Sequence, residues 1–513
     1  MKPIHWLILL VAVRFALPFL LQDNFYEPHR DAYLYLDYAH HLDWGYMEVP
    51  PLLSVFSWLA LKLGNGMFWV KCWPALFGAF TFGLCGHLVL LLGGKTRALF
   101  LLFICFVFGA FLRVFFLFQP GFLEIFYWTA IAYSFIRFQM HPSKKWLLLF
   151  GICCGLGVIS KYTTLFFLSG ILVGLILTKE RKIFLNPLLY ISAGVAILMF
   201  LPNLYWQYNH RFPVIYHMKE LRETQLVYLG TTDFLAGQFM MNFIVLFVWL
   251  SGLITLLFTM KWAKFRWYGF GYLTVLVLFI LGSGKDYYTL GLYPILFAFG
   301  AVSIEQWSRK WHPVLKPLPL VLPTILGIFI IPLILPINKP EKLAAYFVKT
   351  GIKEAMGFKW EDQQNHPLPQ DYADMFGWKS LTEMVAKNFH SLPDSVQKET
   401  IIYCRGYYSA GALNFFGPEL NLPTAISDNG SYLWWIPSPL KFKHLMLISH
   451  SDPEPDDEVF NQFEKRILMD SLQLPLFRET GMKVRFFQNG NDSLSYYFTQ
   501  SLETQKDVFR RLP

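Results

Sequence analysis

Long apolar runs separated by short polar loops fill the first two-thirds of the chain. The first run, Ile4–Leu21, follows Lys2 and has no small-residue cleavage site, so it is predicted to be a retained helix and not a cleaved signal. Runs of about 20 apolar residues are long enough to cross about 30 Å of hydrocarbon. Counting such runs predicts about eleven transmembrane helices, the last ending near Pro336.

The charges of the loops predict the orientation of these helices. Loops rich in lysine and arginine remain on the cytoplasmic side of a membrane. Alternation from a cytoplasmic N-terminus places five basic loops on that side, and it places the remaining loops and the C-terminal region on the outer, periplasmic side. The five basic loops are Gly93–Arg97, His141–Lys145, Lys179–Lys182, Lys261–Arg266 and Ser308–Lys316.

The pattern changes at Asn338, where charges and turn residues become frequent and long apolar runs end. Glu399–Gly406 is predicted to be a strand followed by a helix over Tyr407–Gly417. His444–His450 and Met482–Gln488 are typical of further strands. The sequence therefore predicts a transmembrane domain of residues 1–337, with an outer-face loop of residues 23–66, and a small soluble α/β domain of residues 338–513.

Composition agrees with a membrane protein that spans the bilayer several times. The chain of 513 residues is 55% hydrophobic, 18% aromatic and 15% charged, with a mean hydropathy of +0.38. Its net charge is +9, but the basic residues lie in short loops between apolar runs, which argues against a nucleic-acid partner. The six cysteines form no disulfide framework, since five of them lie in or beside apolar runs.

The first polar interruption, His29–Pro51, combines acids with aromatic residues where a membrane meets water. It contains four carboxylates, of which Asp31 and Glu48 are the first and the last. A carboxylate at such a face is a candidate general base, and the aromatic side chains suit a sugar. An aromatic belt with solvated acids is the alternative interpretation.

Further ionisable and aromatic side chains fall on the same predicted face. A charge at membrane depth costs about 2.5–3.5 kcal/mol, so each charged residue is a functional hypothesis, although structural ion pairs are an alternative. Two of them, His210 and His217, could share one face if their loop is helical, but no third ligand lies at metal-binding spacing. Satisfied loop histidines are therefore the favoured interpretation, and a divalent metal stays an open alternative. The other residues are Glu124, Lys161, Lys285, Tyr287 and Tyr288.

Several segments in order along nearly the whole chain carry a family resemblance. They resemble bacterial GT-C membrane glycosyltransferases, relatives of the lipid A aminoarabinose transferases and of the dolichyl-phosphate-mannose protein mannosyltransferases. That resemblance implies a polytopic helical fold with a polar first outer loop and an outer C-terminal domain. The segments are His29–Phe56, Lys71–Gly78, Gln119–Trp128, Gly155–Thr163, Pro202–Leu221, Gly284–Pro294, Leu368–Trp378 and Tyr407–Gly417.

The resemblance also implies a reaction and roles for residues. It implies inverting transfer of a sugar from a polyprenyl-phosphate donor to a hydroxyl of a lipid, protein or glycan acceptor, at the periplasmic face of a bacterial inner membrane. Asp31 would be the general base, with Glu48 and Glu124 as supporting acids. The family usually has an Asp-Glu pair at the positions that correspond to residues 31 and 32. Here the Asp is kept as Asp31, and Ala32 replaces the Glu.

The chemistry of the leaving group assigns the remaining candidates. Polyprenyl phosphate leaves with negative charge, so cations must meet it, and Lys161 and Lys285 are the candidates, with Tyr287 and Tyr288 beside the phosphate or sugar. His210 and His217 are candidate substrate or metal contacts.

Two other functions remain open from the sequence. A transporter or flippase of lipid-linked sugars would also have many helices with intramembrane charges, but it predicts internal repeats and charges near the middle of the membrane. A catalytically impaired GT-C scaffold is the second alternative, and Ala32 is its main support.

Overall fold

The computed structural model describes residues 2–64, 66–228 and 230–510 and is mostly helical. Apolar runs form helices that end at polar or charged loops, where the terminal N–H and C=O groups find partners. Helices in the first part of the chain are α1 Pro3–Leu21, α2 Arg30–Asp37, α3 Leu52–Leu63, α4 Met67–Leu91, α5 Thr96–Val107, α6 Phe111–Val114, α7 Gly121–Met140, α8 Lys144–Val158, α9 Thr164–Ile176, α10 Pro187–Asn209, α11 Pro213–Thr224, α12 Thr231–Met240, α13 Leu246–Phe258, α14 Arg266–Leu281, α15 Tyr293–Ser308 and α16 Leu318–Ile334.

Six helical segments of the described residues are long and apolar enough to span a membrane. A bent pair, Thr231–Met240 with Phe243–Phe258, brings the number to seven if the pair forms one span. Each of the eleven predicted runs contains a helix, but several of these, such as Thr96–Val107, are too short to span alone. The prediction of about eleven spans is therefore not confirmed. The six segments are Pro3–Leu21, Met67–Leu91, Pro187–Asn209, Met260–Leu281, Asp286–Ser308 and Pro313–Ile334.

The helices pack closely through small residues. Where α13 crosses α15, a Cβ on Gly252 would collide with the Leu296 carbonyl oxygen, and a Cβ on Gly300 would collide with the Val248 carbonyl oxygen. Because the hydrophobic effect does not drive apolar side chains out of lipid, helices in membranes associate through close van der Waals packing, which small residues allow. This contact holds α15 against α13. The candidate residues Lys285, Tyr287 and Tyr288 lie just before the first turn of α15.

The C-terminal part contains a five-stranded sheet of order β2-β1-β3-β5-β4. Strands β1, β2 and β3 run parallel, and β5 pairs antiparallel with both β3 and β4. The three predicted strands are confirmed as β1, β3 and β5. The elements are α17 Pro340–Lys349, α18 Ile352–Met356, α19 Gln370–Ala373, α20 Trp378–His390, α21 Asp394–Gln397, β1 Thr400–Cys404, α22 Tyr407–Phe416, β2 Ile426–Ser427, α23 Tyr432–Trp435, β3 His444–Ser449, β4 Phe463–Ser471, β5 Lys483–Gly490 and α24 Leu494–Arg510.

The first outer loop packs into the C-terminal part of the chain. Helix α22 lies so close to α2 that a Cβ on Gly411 would be 2.7 Å from the Tyr33 carbonyl carbon. The Tyr33 ring also contacts the Trp378 ring, with centroids 5.7 Å apart. Tyr33 and Trp378 belong to one hydrophobic cluster, so residues far apart in the chain meet around α2. A domain boundary between residues 337 and 338 stays a prediction.

Candidate functional site

Asp31 lies in the first turn of α2, where a helix favours a negative charge. His29 caps this helix, since its Nδ1 accepts the Asp31 backbone N–H at 3.2 Å. The amide of Gln119 lies 3.1 Å from the same Nδ1. Two neighbouring donors fix the orientation of the imidazole, and the first turn of α2 is thereby held in one geometry.

Both oxygens of the Asp31 carboxylate have a partner. The Tyr407 hydroxyl donates to Oδ1 at 2.6 Å, and the Gln119 amide donates to Oδ2 at 3.2 Å. Burial raises the pKa of Asp31, whereas the positive charge of Arg30 and the Tyr407 hydrogen bond lower it, and the net shift is downward. The side chain remains 31% exposed, so Asp31 is an ionised and reachable carboxylate at neutral pH.

Tyr407 comes from α22, in the C-terminal part of the chain, and its ring is fixed by a cation. The Arg30 guanidinium lies 5.7 Å from the Tyr407 ring centroid and 4.3 Å from that of Tyr408. Contacts of this kind attract a cation to the face of a ring. Arg30 precedes Asp31 in α2 and contacts Tyr407, the residue that donates a hydrogen bond to Asp31.

Glu48 binds the C-terminal part and does not reach Asp31 by a hydrogen bond. Its Oε1 accepts the Ser431 backbone N–H at 2.8 Å, and its Oε2 accepts the hydroxyls of Ser431 and Tyr38 at 2.6 and 2.8 Å. Asp37 has a similar role, since it accepts from residues of α22 and α23. The geometry favours a structural function for Glu48, in which it holds the first outer loop in place.

Glu124 forms a buried ion pair. Its Oε2 lies 2.8 Å from the Lys161 Nζ, and its Oε1 accepts the Thr163 hydroxyl. Only 3% of Glu124 is exposed, and such a carboxylate is stabilised only by partners of this kind. Glu124 therefore positions Lys161, which lies at the turn between α8 and α9.

The two lysines and two tyrosines predicted to meet the phosphate lie together. The Lys161 Nζ is 4.6 Å from the Tyr288 ring centroid and 5.7 Å from that of Tyr287, while the Lys285 Nζ is 5.9 Å from that of Tyr287. Lys285 also donates to the Gln225 side chain at 2.6 Å. The Tyr287 side chain is 44% exposed, so the cluster of Lys161, Lys285, Tyr287 and Tyr288 is open to a ligand.

Both the Asp31 carboxylate and the lysine–tyrosine cluster affect Tyr35 electrostatically. Burial raises the pKa of Tyr35, and the charges of Asp31 and Glu48 and the hydroxyl of Tyr288 raise it further. Electrostatic effects of this kind require short separations. Asp31 and Tyr288 of the lysine–tyrosine cluster therefore both lie within electrostatic range of Tyr35.

His210 and His217 do not share a helix. Helix α10 ends at Asn209 and α11 begins at Pro213, and the two residues between His210 and Pro213 have positive φ angles. His210 is satisfied locally: its Nδ1 lies 2.8 Å from the Trp206 carbonyl oxygen, and its ring stacks on the Trp206 indole. Across the described residues, no group of three or more histidine, cysteine or acidic side chains has a geometry that could hold a metal ion. His210 thus fits the favoured interpretation of a satisfied loop histidine.

The Ala32 side chain is buried in the protein core. It is 1% exposed and belongs to the apolar core of the transmembrane helices. It lines a small cavity together with His29 and Lys71. The side chain at position 32 therefore affects core packing. The hydrogen bonds to Asp31 are donated by Gln119 and Tyr407.

Sequence reasoning missed the residues that hold Asp31. Gln119 and Tyr407 each begin a segment that carries the family resemblance, and His29 begins the first such segment. Their position in those segments was the available signal. Their contact with Asp31, across as many as 376 residues, depends on the tertiary structure.

Comparison with known proteins supports this architecture. A model of the family described as dolichyl-phosphate-mannose-protein mannosyltransferase matches residues 48–206. A search of curated protein sequences found no match. The family match covers the end of the first outer loop and the helices through α10, and it thus includes Glu124 and Lys161 but ends short of the C-terminal part.

Two solved structures match over nearly the full length of both chains. ArnT from Cupriavidus metallidurans in the apo state has a TM-score of 0.64 at 13% identity, and the match covers 94% of this chain and 98% of ArnT. ArnT bound to undecaprenyl phosphate has a TM-score of 0.58 at 14% identity, with the same coverage. Identities this low establish a shared fold alone. The chain therefore has the fold of the GT-C membrane glycosyltransferases, as the resemblance predicted.

Proposed function

We propose that this protein transfers a sugar from a polyprenyl-phosphate donor to an acceptor hydroxyl at the periplasmic face of the bacterial inner membrane, with inversion and with Asp31 as general base. The observation that supports the proposal is an ionised, partly exposed carboxylate within electrostatic range of Tyr287, a member of a cluster of two lysines and two tyrosines. The neighbour of the same fold that binds undecaprenyl phosphate supports this choice of donor class.

Asp31 is suited to take a proton from the acceptor. A carboxylate has about four lone-pair positions, and Tyr407 and Gln119 occupy one on each oxygen. A free lone pair of the Asp31 carboxylate accepts the proton of the acceptor hydroxyl. The oxygen of that hydroxyl attacks the anomeric carbon from the face opposite the phosphate. A positioned base of this kind accelerates a reaction by about 10²–10⁴-fold.

The lysine–tyrosine cluster receives the leaving group. When the anomeric carbon–oxygen bond breaks, its electron pair stays with the polyprenyl phosphate, whose negative charge then increases. The ammonium groups of Lys161 and Lys285 stabilise that charge. Glu124 holds Lys161 at the turn after α8, and the exposed ring of Tyr287 offers a hydroxyl to the phosphate or a face to the sugar.

The test is turnover by the purified full-length protein in lipid, with a panel of polyprenyl-phosphate sugars and an acceptor extract of bacterial envelope. The proposal predicts release of free polyprenyl phosphate together with incorporation of sugar into acceptor. Movement of intact donor across a vesicle membrane without release of polyprenyl phosphate would contradict it and favour the flippase alternative. Donor binding without release for any sugar in the panel would favour a catalytically impaired scaffold.

A further inference from the structure

A polar cavity lies at the C-terminal end of α15, away from the lysine–tyrosine cluster. The helical segment Asp286–Ser308 is long enough to span a membrane. It begins at the lysine–tyrosine cluster, and its last turn carries Glu305. A cavity of about 440 Å³ opens beside that last turn, between the start of α5 and the loop that leads to α16. Its lining residues are Lys95, Thr96, Arg97, Glu305, Arg309 and Lys316.

Four cations and one carboxylate line this basic cavity, which leaves a net charge of +3. The carboxylate of Glu305 is already engaged, since it accepts the Lys95 backbone N–H at 2.7 Å and lies 3.8 Å from the Arg309 guanidinium. Within the described parts of the chain, the side chains of Lys95, Arg97 and Lys316 form no ion pair. The cavity therefore contains more positive charge than the protein itself neutralises.

Basic residues in the neighbouring loops are accommodated differently. The ammonium groups of Lys145, Lys261 and Lys264 each lie 4.6–5.2 Å from the centroid of an adjacent aromatic ring. A preference for positive charge on one side of the membrane explains basic loops in general. It does not require four cations around a cavity.

We infer that the basic cavity binds a phosphate-bearing anion. Its volume lies within the range of about 300–1,000 Å³ that small-ligand sites occupy. The hydroxyl of Thr96 and the first turn of α5 add donors to the four cations. Basic pockets between transmembrane helices on the cytoplasmic side bind lipid headgroups. The anion is therefore either the headgroup of an anionic phospholipid or a free phosphate from the cytoplasm.

The test compares two double variants of the full-length protein with equal loss of charge. Arg97→Gln with Lys316→Gln removes two cations from the cavity. Lys261→Gln with Lys264→Gln is the control: Lys261 lies 3.4 Å from Gln306, at the same end of α15 but outside the cavity. Binding of phosphatidylglycerol is measured by lipid retained on the purified protein, and binding of radiolabelled inorganic phosphate by equilibrium dialysis.

The cavity variant is expected to bind one of these two ligands about thirtyfold more weakly than the native protein, at about 1 kcal/mol for each basic residue removed. The control variant is expected to bind as the native protein does. Loss of phosphatidylglycerol alone identifies the lipid as the source, and loss of inorganic phosphate identifies a soluble ligand. Equal binding by the cavity variant and the native protein for both ligands, or an equal loss in both variants, would overturn the inference.

Discussion

The hydroxyl of Tyr407 helps to keep the Asp31 carboxylate ionised, and Tyr407→Phe tests this directly. The substitution removes one oxygen, 2.6 Å from the Asp31 Oδ1, and leaves a ring that still packs near the Arg30 guanidinium. A hydrogen bond to a charged group contributes about 1.5–3 kcal/mol. Since about 1.4 kcal/mol corresponds to one pKa unit, losing this bond is expected to raise the pKa of Asp31 by about one to two units.

The sign follows from the group that the hydrogen bond stabilises. The bond favours the ionised carboxylate and so helps to hold its pKa below the ordinary value. Because a general base must be ionised, activity is lost as the pH falls through that pKa. Tyr407→Phe is therefore expected to move the acidic limb of the kcat/KM profile upward by about one to two pH units, with a much smaller change at neutral pH.

The matched control is Tyr408→Phe. The Tyr408 ring also lies over Arg30, but its hydroxyl bonds to Glu479 and not to Asp31. Both variants lose one phenol oxygen from α22, so a general loosening of the structure would affect both profiles. An acidic limb that stays in place in Tyr407→Phe, or that moves equally in Tyr408→Phe, would refute the assigned role of Tyr407. Melting temperatures of both variants report whether they fold.

Four further substitutions test the other roles. Lys161→Gln and Lys285→Gln are each expected to lower kcat/KM for the donor by about tenfold or more, since each removes a charge-assisted contact to phosphate; unchanged donor kinetics in both would contradict the phosphate role. Glu124→Gln leaves the Lys161 ammonium without its carboxylate and is expected to lower the unfolding free energy by about 3–5 kcal/mol, with donor kcat/KM reduced as in Lys161→Gln. Glu48→Gln weakens the bonds to Ser431 and is expected to lower the melting temperature, while the affinity for donor, measured by direct binding, stays native.

The apolar pattern predicted much of the fold. Every predicted apolar run contains a helix, and three strands of the C-terminal sheet lie where alternating or apolar segments place them. Strand β4, Phe463–Ser471, was missed because most of its side chains are exposed at the edge of the sheet, so its sequence lacks an apolar face. The number of spans stays a prediction because some predicted runs contain apolar helices, such as α5 and α9, that are too short to span a membrane alone.

The sequence was enough to choose charged residues as candidates for the site, but it did not predict which residues they contact. Lys161 and Lys285 were chosen for their charge and their predicted face, and the structure brings both to the Tyr287 ring. Glu48 and Glu124 were chosen by the same reasoning, but a carboxylate in a loop looks alike in sequence whether it serves chemistry or caps a backbone N–H. Only the fold shows that Glu48 binds Ser431, 383 residues away.

The central claim is that Asp31 is the base, and the most direct measurement compares donor binding with turnover in Asp31→Asn. The amide keeps the shape of the carboxylate but cannot take a proton. The variant is expected to bind polyprenyl-phosphate sugar with native affinity and to turn it over at least about a hundredfold more slowly. Asp37→Asn, in the same helix, is the control for losing a carboxylate that bonds to the C-terminal part. Native turnover by Asp31→Asn would exclude Asp31 as the general base.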